Sequence, residues 1–104
     1  MGFTKEKLPI QKKGDIVEYV DGYTFNACFS NGQLFKVGVF NNGLKWIVTE
    51  INTGLAICYS GTRKGAVKLF QDVYLSKLER YVEIDDYNIS VKHFDVLKAG
   101  VCND

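Results

Sequence analysis

The sequence predicts an α+β fold, in which an antiparallel β-meander of about five strands over residues 15–60 packs on one long helix over residues 62–82. Three observations predict it. Turn dipeptides recur at Asp21-Gly22, Asn31-Gly32, Asn42-Gly43 and Thr53-Gly54, so their glycines fall ten, eleven and eleven residues apart. Each supplies a residue that tolerates the positive φ of a tight turn between antiparallel strands. Between the turns lie runs rich in β-branched and aromatic residues, and after Thr62 the apolar period lengthens from two to between three and four.

The five runs are Ile16 to Val20, Tyr23 to Phe29, Leu34 to Phe40, Leu44 to Ile51 and Leu55 to Tyr59. Alternation gives one apolar row per strand: Phe25, Ala27 and Phe29; Phe35, Val37 and Val39; Leu44, Trp46 and Val48; Leu55, Ile57 and Tyr59. With two-residue loops throughout, Val39 pairs with Trp46 and Val48 with Tyr59, but Phe25 and Phe29 fall on the opposite face. A three-residue loop with a bulge at Asn31-Gly32, or a sheet covered on both sides, resolves that conflict. The helix follows from Val67, Phe70, Tyr74, Leu78 and Tyr81, flanked by Ala66, Leu69, Val73 and Val82, a broad apolar stripe suited to one sheet face.

Residues 1–13 carry Lys5, Lys7, Lys12 and Lys13 against Glu6, together with the only proline, Pro9, and are expected to form a basic, irregular N-terminal arm. Residues 14–100 make the single α+β domain. A short C-terminal helix is expected from about Val91 to Lys98, although Ile89, Val91 and His93 also alternate as a strand would. Residues 101–104 should fray.

At 104 residues the chain has room for one domain, and 46% hydrophobic with 24% charged residues is the balance of a globular protein. The net charge of +1 gives no global attraction to nucleic acid or to an anionic membrane. No window has the roughly 18 apolar residues that span a bilayer, and the charged N-terminus lacks the apolar core of a secretory signal. A cytoplasmic protein without a membrane partner is expected. Cys28, Cys58 and Cys102 have neither the even number of a disulfide framework nor metal-ligand spacing, and Cys28 and Cys58 are expected to serve as small residues within strands.

No catalytic, cofactor-binding or metal-binding residues are expected. His93 is the only histidine, and the nucleophile-elbow, zincin, P-loop and dinucleotide-binding signatures are all missing. Two charged stretches are the candidate binding residues. Thr62, Arg63 and Lys64 stand where the last strand hands over to the helix, with Thr62 as N-cap. Two cations in that first turn oppose the helix dipole unless an anion joins them. Glu79, Glu83, Asp85 and Asp86 form an acidic patch at the C-terminus of that helix, where negative charge opposes the helix dipole, and the patch is able to receive a basic partner or to imitate phosphates. Fourteen aromatic residues, eight of them between Tyr19 and Tyr59, serve mainly a core, with Tyr19, Tyr23 and Phe40 as candidates for exposed stacking.

Trp46-Ile47-Val48-Thr49-Glu50-Ile51-Asn52-Thr53-Gly54-Leu55-Ala56-Ile57, followed by Gly61-Thr62-Arg63-Lys64, resembles small proteins encoded by phages and prophages of low-GC Gram-positive bacteria. In those, a Trp-led strand, a Thr-Gly turn, a second strand and a "GxTRKEA"-like helix start occur together. Gly65 departs from the acidic residue common at that place. The resemblance implies no catalytic residues. It implies an accessory phage product, a class that includes inhibitors of host defence such as anti-CRISPR proteins.

The expected function is therefore that of a non-enzymatic binding protein, monomer or homodimer, which occludes a host protein or ribonucleoprotein in the host cell cytoplasm. The alternative is a single-stranded nucleic-acid binder using exposed aromatics with Lys36, Lys45, Arg63 and Lys64.

Overall fold

A computed structural model describes residues 2–102, apart from the side chains of Val101 and Cys102. The protein has an α+β fold. Strands β1 (Thr4–Lys12), β2 (Ile16–Cys28), β3 (Leu34–Asn41), β4 (Trp46–Glu50) and β5 (Ala56–Ser60) form one antiparallel sheet in chain order. Helix α1 (Arg63–Leu69), a π-helical turn (Phe70–Tyr74) and α2 (Leu75–Tyr81) follow without a break, and α3 (Asp85–Cys102) closes the chain.

The meander has five strands, but the first two are not those expected. The segment expected to be an irregular basic arm is β1, paired with β2 from Thr4↔Thr24 to Lys12↔Ile16. Its lysines conceal a strand pattern. Leu8 and Ile10 are buried on one face, while Lys7 on the other pairs with Asp21 at 2.7 Å. Pro9 is accommodated because β1 is an edge strand, where a missing N–H need not break a ladder.

Asp21-Gly22 is not a turn, since β2 runs straight through it. The hairpin bends instead at Gly14 (φ +86°) and Asp15 (φ +58°). Gly22 is there for close approach, because a Cβ would lie 2.6 Å from Leu8 Cδ1 and 2.8 Å from the Val39 carbonyl oxygen. Leu8 presses equally on Gly38 and, with Ile10 and Phe40, builds a second buried cluster on the face away from α1. The Gln11 N–H donates to the Gly54 carbonyl at 2.8 Å, so the far end of β1 meets the β4–β5 connection.

The three-residue loop at Ser30-Asn31-Gly32 is present, with the Phe29 N–H donating to the Gln33 carbonyl at 2.9 Å and Gly32 at φ +85°. It sets Phe25 against Val37 and Ala27 against Phe35, which brings the Phe25 row onto the same face as Val39 and Val48. Strand β5 is inverted relative to expectation: Val48 pairs with Cys58, Ile47 with Tyr59, and the register shifts between Val48 and Thr49. That single step buries Cys58 and turns Tyr59 outward.

Over this face lie Ala66, Val67, Phe70 and Leu78, fully within the core of Phe25, Val37, Val39, Val48 and Cys58. Phe70 meets Phe25 edge to face at 5.9 Å. The helix spans the expected residues, but its π-helical turn changes the phase of the stripe and leaves Val73 exposed.

Helix α3 is longer than the expected Val91 to Lys98, because it begins six residues earlier at Asp85. The acidic run does not end one helix against its dipole; Asp85 and Asp86 start the next, where the positive end favours them. Of the tail expected to fray, residues 101 and 102 belong to α3, and residues 103 and 104 lie outside the described residues. Phe94 docks α3 on Gly54, where a Cβ would lie 2.4 Å from the ring.

Candidate functional site

The Thr62 side chain caps α1, accepting from the Gly65 N–H at 3.0 Å. Gly65 is needed for this cap, since a Cβ there would meet Ser60 Oγ at 2.7 Å and Thr62 Oγ1 at 2.8 Å. The cap aims Arg63 back over the sheet. Its guanidinium carbon lies 4.6 Å from the Phe3 ring centroid and 4.8 Å from that of Tyr23. Phe3 and Tyr23 meet edge to face at 6.4 Å, and Tyr23 stands 6.4 Å from Trp46 with their planes 34° apart.

These four side chains are half-buried, forming the rim where the core reaches the surface. Beside them an open groove of about 570 Å³ is lined by Lys5, Lys7, Asp21, Tyr23, Asn41 and Trp46. Lys64 is exposed next to Arg63. Of the aromatics picked out as stacking candidates, Tyr23 belongs to this cluster, Tyr19 is exposed elsewhere on β2, and Phe40 is buried in the second cluster. Lys45 lies over Tyr59 at 4.1 Å, and Lys36 pairs with Glu6 at 2.9 Å. Lys36 and the Thr24 hydroxyl hold the Glu6 carboxyl below its ordinary range, with the Thr24 bond the larger cause.

The acidic residues occupy the other end of the helix. The helical run from Arg63 to Tyr81 holds nineteen residues rising about 1.5 Å each, so the two candidate patches do not form one surface. Glu79 reaches the β2–β3 loop, accepting from the Ser30 hydroxyl at 2.7 Å and from its N–H at 2.5 Å. Those bonds lower the Glu79 pKa, the hydroxyl contributing most. Glu83 is exposed beside a groove of about 460 Å³ that Glu79 and Tyr87 also line. Asp85 and Asp86 are exposed in the first turn of α3.

The strand pattern points to one more group that the charge patches do not include. Glu50 continues the inward row of Trp46 and Val48, and it is only 2% exposed. Its Oε1 accepts from the Asn52 N–H at 3.0 Å and the Tyr87 hydroxyl at 3.3 Å. Burial is the main cause that pushes the Tyr87 phenol up to about 12. An acidic residue at an inward strand position is the signal that finds this site.

His93 is exposed, with Nε2 3.4 Å from Asp15 Oδ1. Cys58 and Cys28 are small residues within strands, as expected; the inverted β5 buries Cys58, whose thiol is pushed up to about 11 by burial, whereas Cys28 at the end of β2 is exposed. Among the described residues no group of three or more His, Cys, Asp or Glu side chains is placed to hold a metal ion. No helix among them is long and apolar enough to cross a membrane. Compared with known proteins, the chain matches no family model, no curated protein and no solved structure.

Proposed function

We propose that this is a non-enzymatic binding protein that occludes a surface of a host macromolecule, and that its partner is a protein docked on Phe3, Tyr23, Trp46 and Arg63. The observation that carries this is the composition and exposure of that cluster: Tyr23, Trp46 and Arg63 are half-buried, with Arg63 over the Tyr23 ring and Trp46 tilted beside it, and Tyr, Trp and Arg are the residue types enriched among those that dominate binding energy at protein interfaces. Holding Arg63 on two rings lowers the side-chain entropy lost on docking. The adjoining groove mixes signs, with Lys7 already paired to Asp21, which suits a protein surface better than a phosphate track. The resemblance to phage accessory proteins agrees with a role in the cytoplasm of an infected cell, as an inhibitor of host defence such as an anti-CRISPR protein acting on a protein or ribonucleoprotein.

The test is affinity capture of the tagged protein from a bacterial lysate, with and without nuclease, repeated for Trp46→Ala and Arg63→Ala. A stoichiometric protein that survives nuclease and is lost with either substitution supports the proposal. Retention by both variants defeats it. The half-exposed Tyr23 and Trp46 rings, with Lys5, Lys45 and Lys64 nearby in sequence or space, favour a second function, binding of single-stranded nucleic acid. That function requires affinity for an oligonucleotide that falls steeply with salt, and a flat response removes it.

A further inference from the structure

Strand β2 outruns β3. It pairs with β1 from Ile16 to Thr24, but its ladder with β3 runs only from Tyr23↔Val39 to Cys28↔Leu34. The two strands part where Leu8 lies across Gly22 and Gly38, and the groove of about 570 Å³ opens at this fork, between Asp21 and Asn41.

One hydrogen bond fixes which backbone groups line the fork. The Gln11 N–H donates away from β2, to the Gly54 carbonyl. Opposite residues of an antiparallel pair alternate between exchanging both hydrogen bonds and exchanging neither. Gln11↔Val17 is therefore a pair of the second kind, and so are Pro9↔Tyr19 and Lys7↔Asp21. Pro9 fits that phase, because the N–H it lacks would point away from β2. Tyr19 and Asp21 turn their N–H and C=O groups toward the fork, and among the described residues no strand pairs with them on that side. Both residues are exposed. Such an edge is a template for another strand.

Charge at the closed end of the fork is one-sided. Lys5 stands opposite Tyr23, and Arg63 lies over the Tyr23 ring. Lys7 is paired with Asp21, but neither Lys5 nor Arg63 has a carboxylate partner among the described residues. A chain leaving the fork over Tyr23 and Trp46 passes between two cations.

We infer that the docked partner contributes an extended segment, which adds antiparallel to β2 at Tyr19 and Asp21 and carries a carboxylate where it emerges over Tyr23. Main-chain pairing gives such a segment affinity, and Lys5 with Arg63 selects the acid. This rests on the docking surface proposed above and specifies what docks there.

Amide NMR titrations of the full chain test it with three capped hexapeptides. The first is Glu-Thr-Val-Thr-Val-Thr, whose N-terminal glutamate reaches the closed end of the fork in an antiparallel pairing. The second has glutamine for glutamate, and the third is the first with every interior amide N-methylated. The first is expected to shift the Tyr19 and Asp21 amides and slow their exchange with solvent. The glutamine peptide should bind about tenfold more weakly, the loss of one charge-assisted contact, and Lys5→Gln should narrow that difference. The N-methylated peptide should not bind. Tyr19→Pro removes a donor that the ladder with β1 does not use, and should weaken the first peptide by about tenfold or more, whereas Tyr19→Ala should not. If Tyr19→Pro does not fold, the N-methylated peptide on the parent protein decides. No shift at Tyr19 and Asp21, equal affinity for the N-methylated peptide, or equal affinity for glutamate and glutamine overturns the inference. Lysate capture separates it from the reading beneath it. A partner lost with Trp46→Ala but kept by Tyr19→Pro removes the added strand and leaves the docking surface. A partner kept by both Trp46→Ala and Arg63→Ala removes the docking surface itself, whatever the peptides do.

Discussion

The two ends of the helix over Arg63–Tyr81 use charge in opposite ways. At the start, Arg63 lies on the faces of Phe3 and Tyr23, partly exposed, and nothing in the packing of the core requires its charge. At the finish, charge is built into the architecture: Glu79 ties down the β2–β3 loop, Asp85 and Asp86 begin α3, and Glu50 is enclosed beneath Tyr87. Similar clusters of charge beside a helix terminus thus mean a surface in one case and scaffolding in the other. What separates them is whether the charged group has a backbone or loop partner within the fold. The contrast predicts that substitutions at the acidic end register in stability, and those at the Arg63 end in binding.

The strongest way to break the contrast is to undock α3. Phe94 is fully buried, and its ring packs where Gly54 has no Cβ. Phe94→Ala should cost about 3–5 kcal/mol by loss of buried surface and the cavity left behind. Urea denaturation measures it. Amide exchange should accelerate first in α3 and around Glu50, whereas amides near Arg63 should keep their protection until global unfolding. Uniform acceleration across the chain would erase the difference between the ends.

Arg63→Ala probes the other end. If that end is a docking surface, partner affinity should fall by about 2 kcal/mol or more while stability changes by less than about 1 kcal/mol, the size of exposed cation–π contacts. Calorimetric binding and thermal unfolding on the same sample separate the two. A stability loss that accounts for the whole effect would make Arg63 scaffolding as well.

How far the sequence discloses this arrangement depends on which physical signal each residue leaves. The sheet order, the three-residue loop at Asn31-Gly32 and the helix after Thr62 were legible, because glycine turns and period changes are local. Strand β1 was not, since Lys5, Lys7 and Pro9 carry the composition of a solvated arm, and only its partner β2 makes Leu8 and Ile10 a buried row. Gly22 misled for a related reason: a glycine required by the approach of Leu8 looks the same as one required by a turn. The capping role of Thr62 was legible, but the rings beneath Arg63 come from residues 3 and 23, and no local spacing links them. Asp85 and Asp86 were seen as charges and assigned to the wrong helix, an error of boundary that reverses the sign of their interaction with the dipole.

That reversal is measurable. Asp85→Asn with Asp86→Asn should destabilise the protein by about 0.3–1 kcal/mol per residue at low salt, and less as salt screens the helix terminus. Had these residues closed α2 instead, the same substitutions would stabilise it. The sign of the change in urea midpoint therefore decides which helix they serve.

The smallest effect is confined to a range of pH. The Ser30 hydroxyl and N–H lower the folded-state pKa of Glu79 from its ordinary value of 4.5. A carboxyl whose pKa falls on folding binds its proton more weakly in the folded state, so ionised Glu79 stabilises the fold above the unfolded pKa. The contribution is lost as pH drops through the lowered folded value. Glu79→Gln should then be less stable than the parent at neutral pH, and the gap should close as pH falls through the lowered folded value and the parent's carboxyl takes up its proton. Glu79 is accessible to solvent, so added salt should narrow the neutral-pH gap in part. Ser30→Ala removes the hydroxyl and leaves the N–H, and it should reproduce part of the same pH dependence. If the gap between parent and Glu79→Gln is instead constant from neutral to acid pH, the tie to the loop is not electrostatic, and the acidic end would then share with Arg63 a charge that the fold does not use.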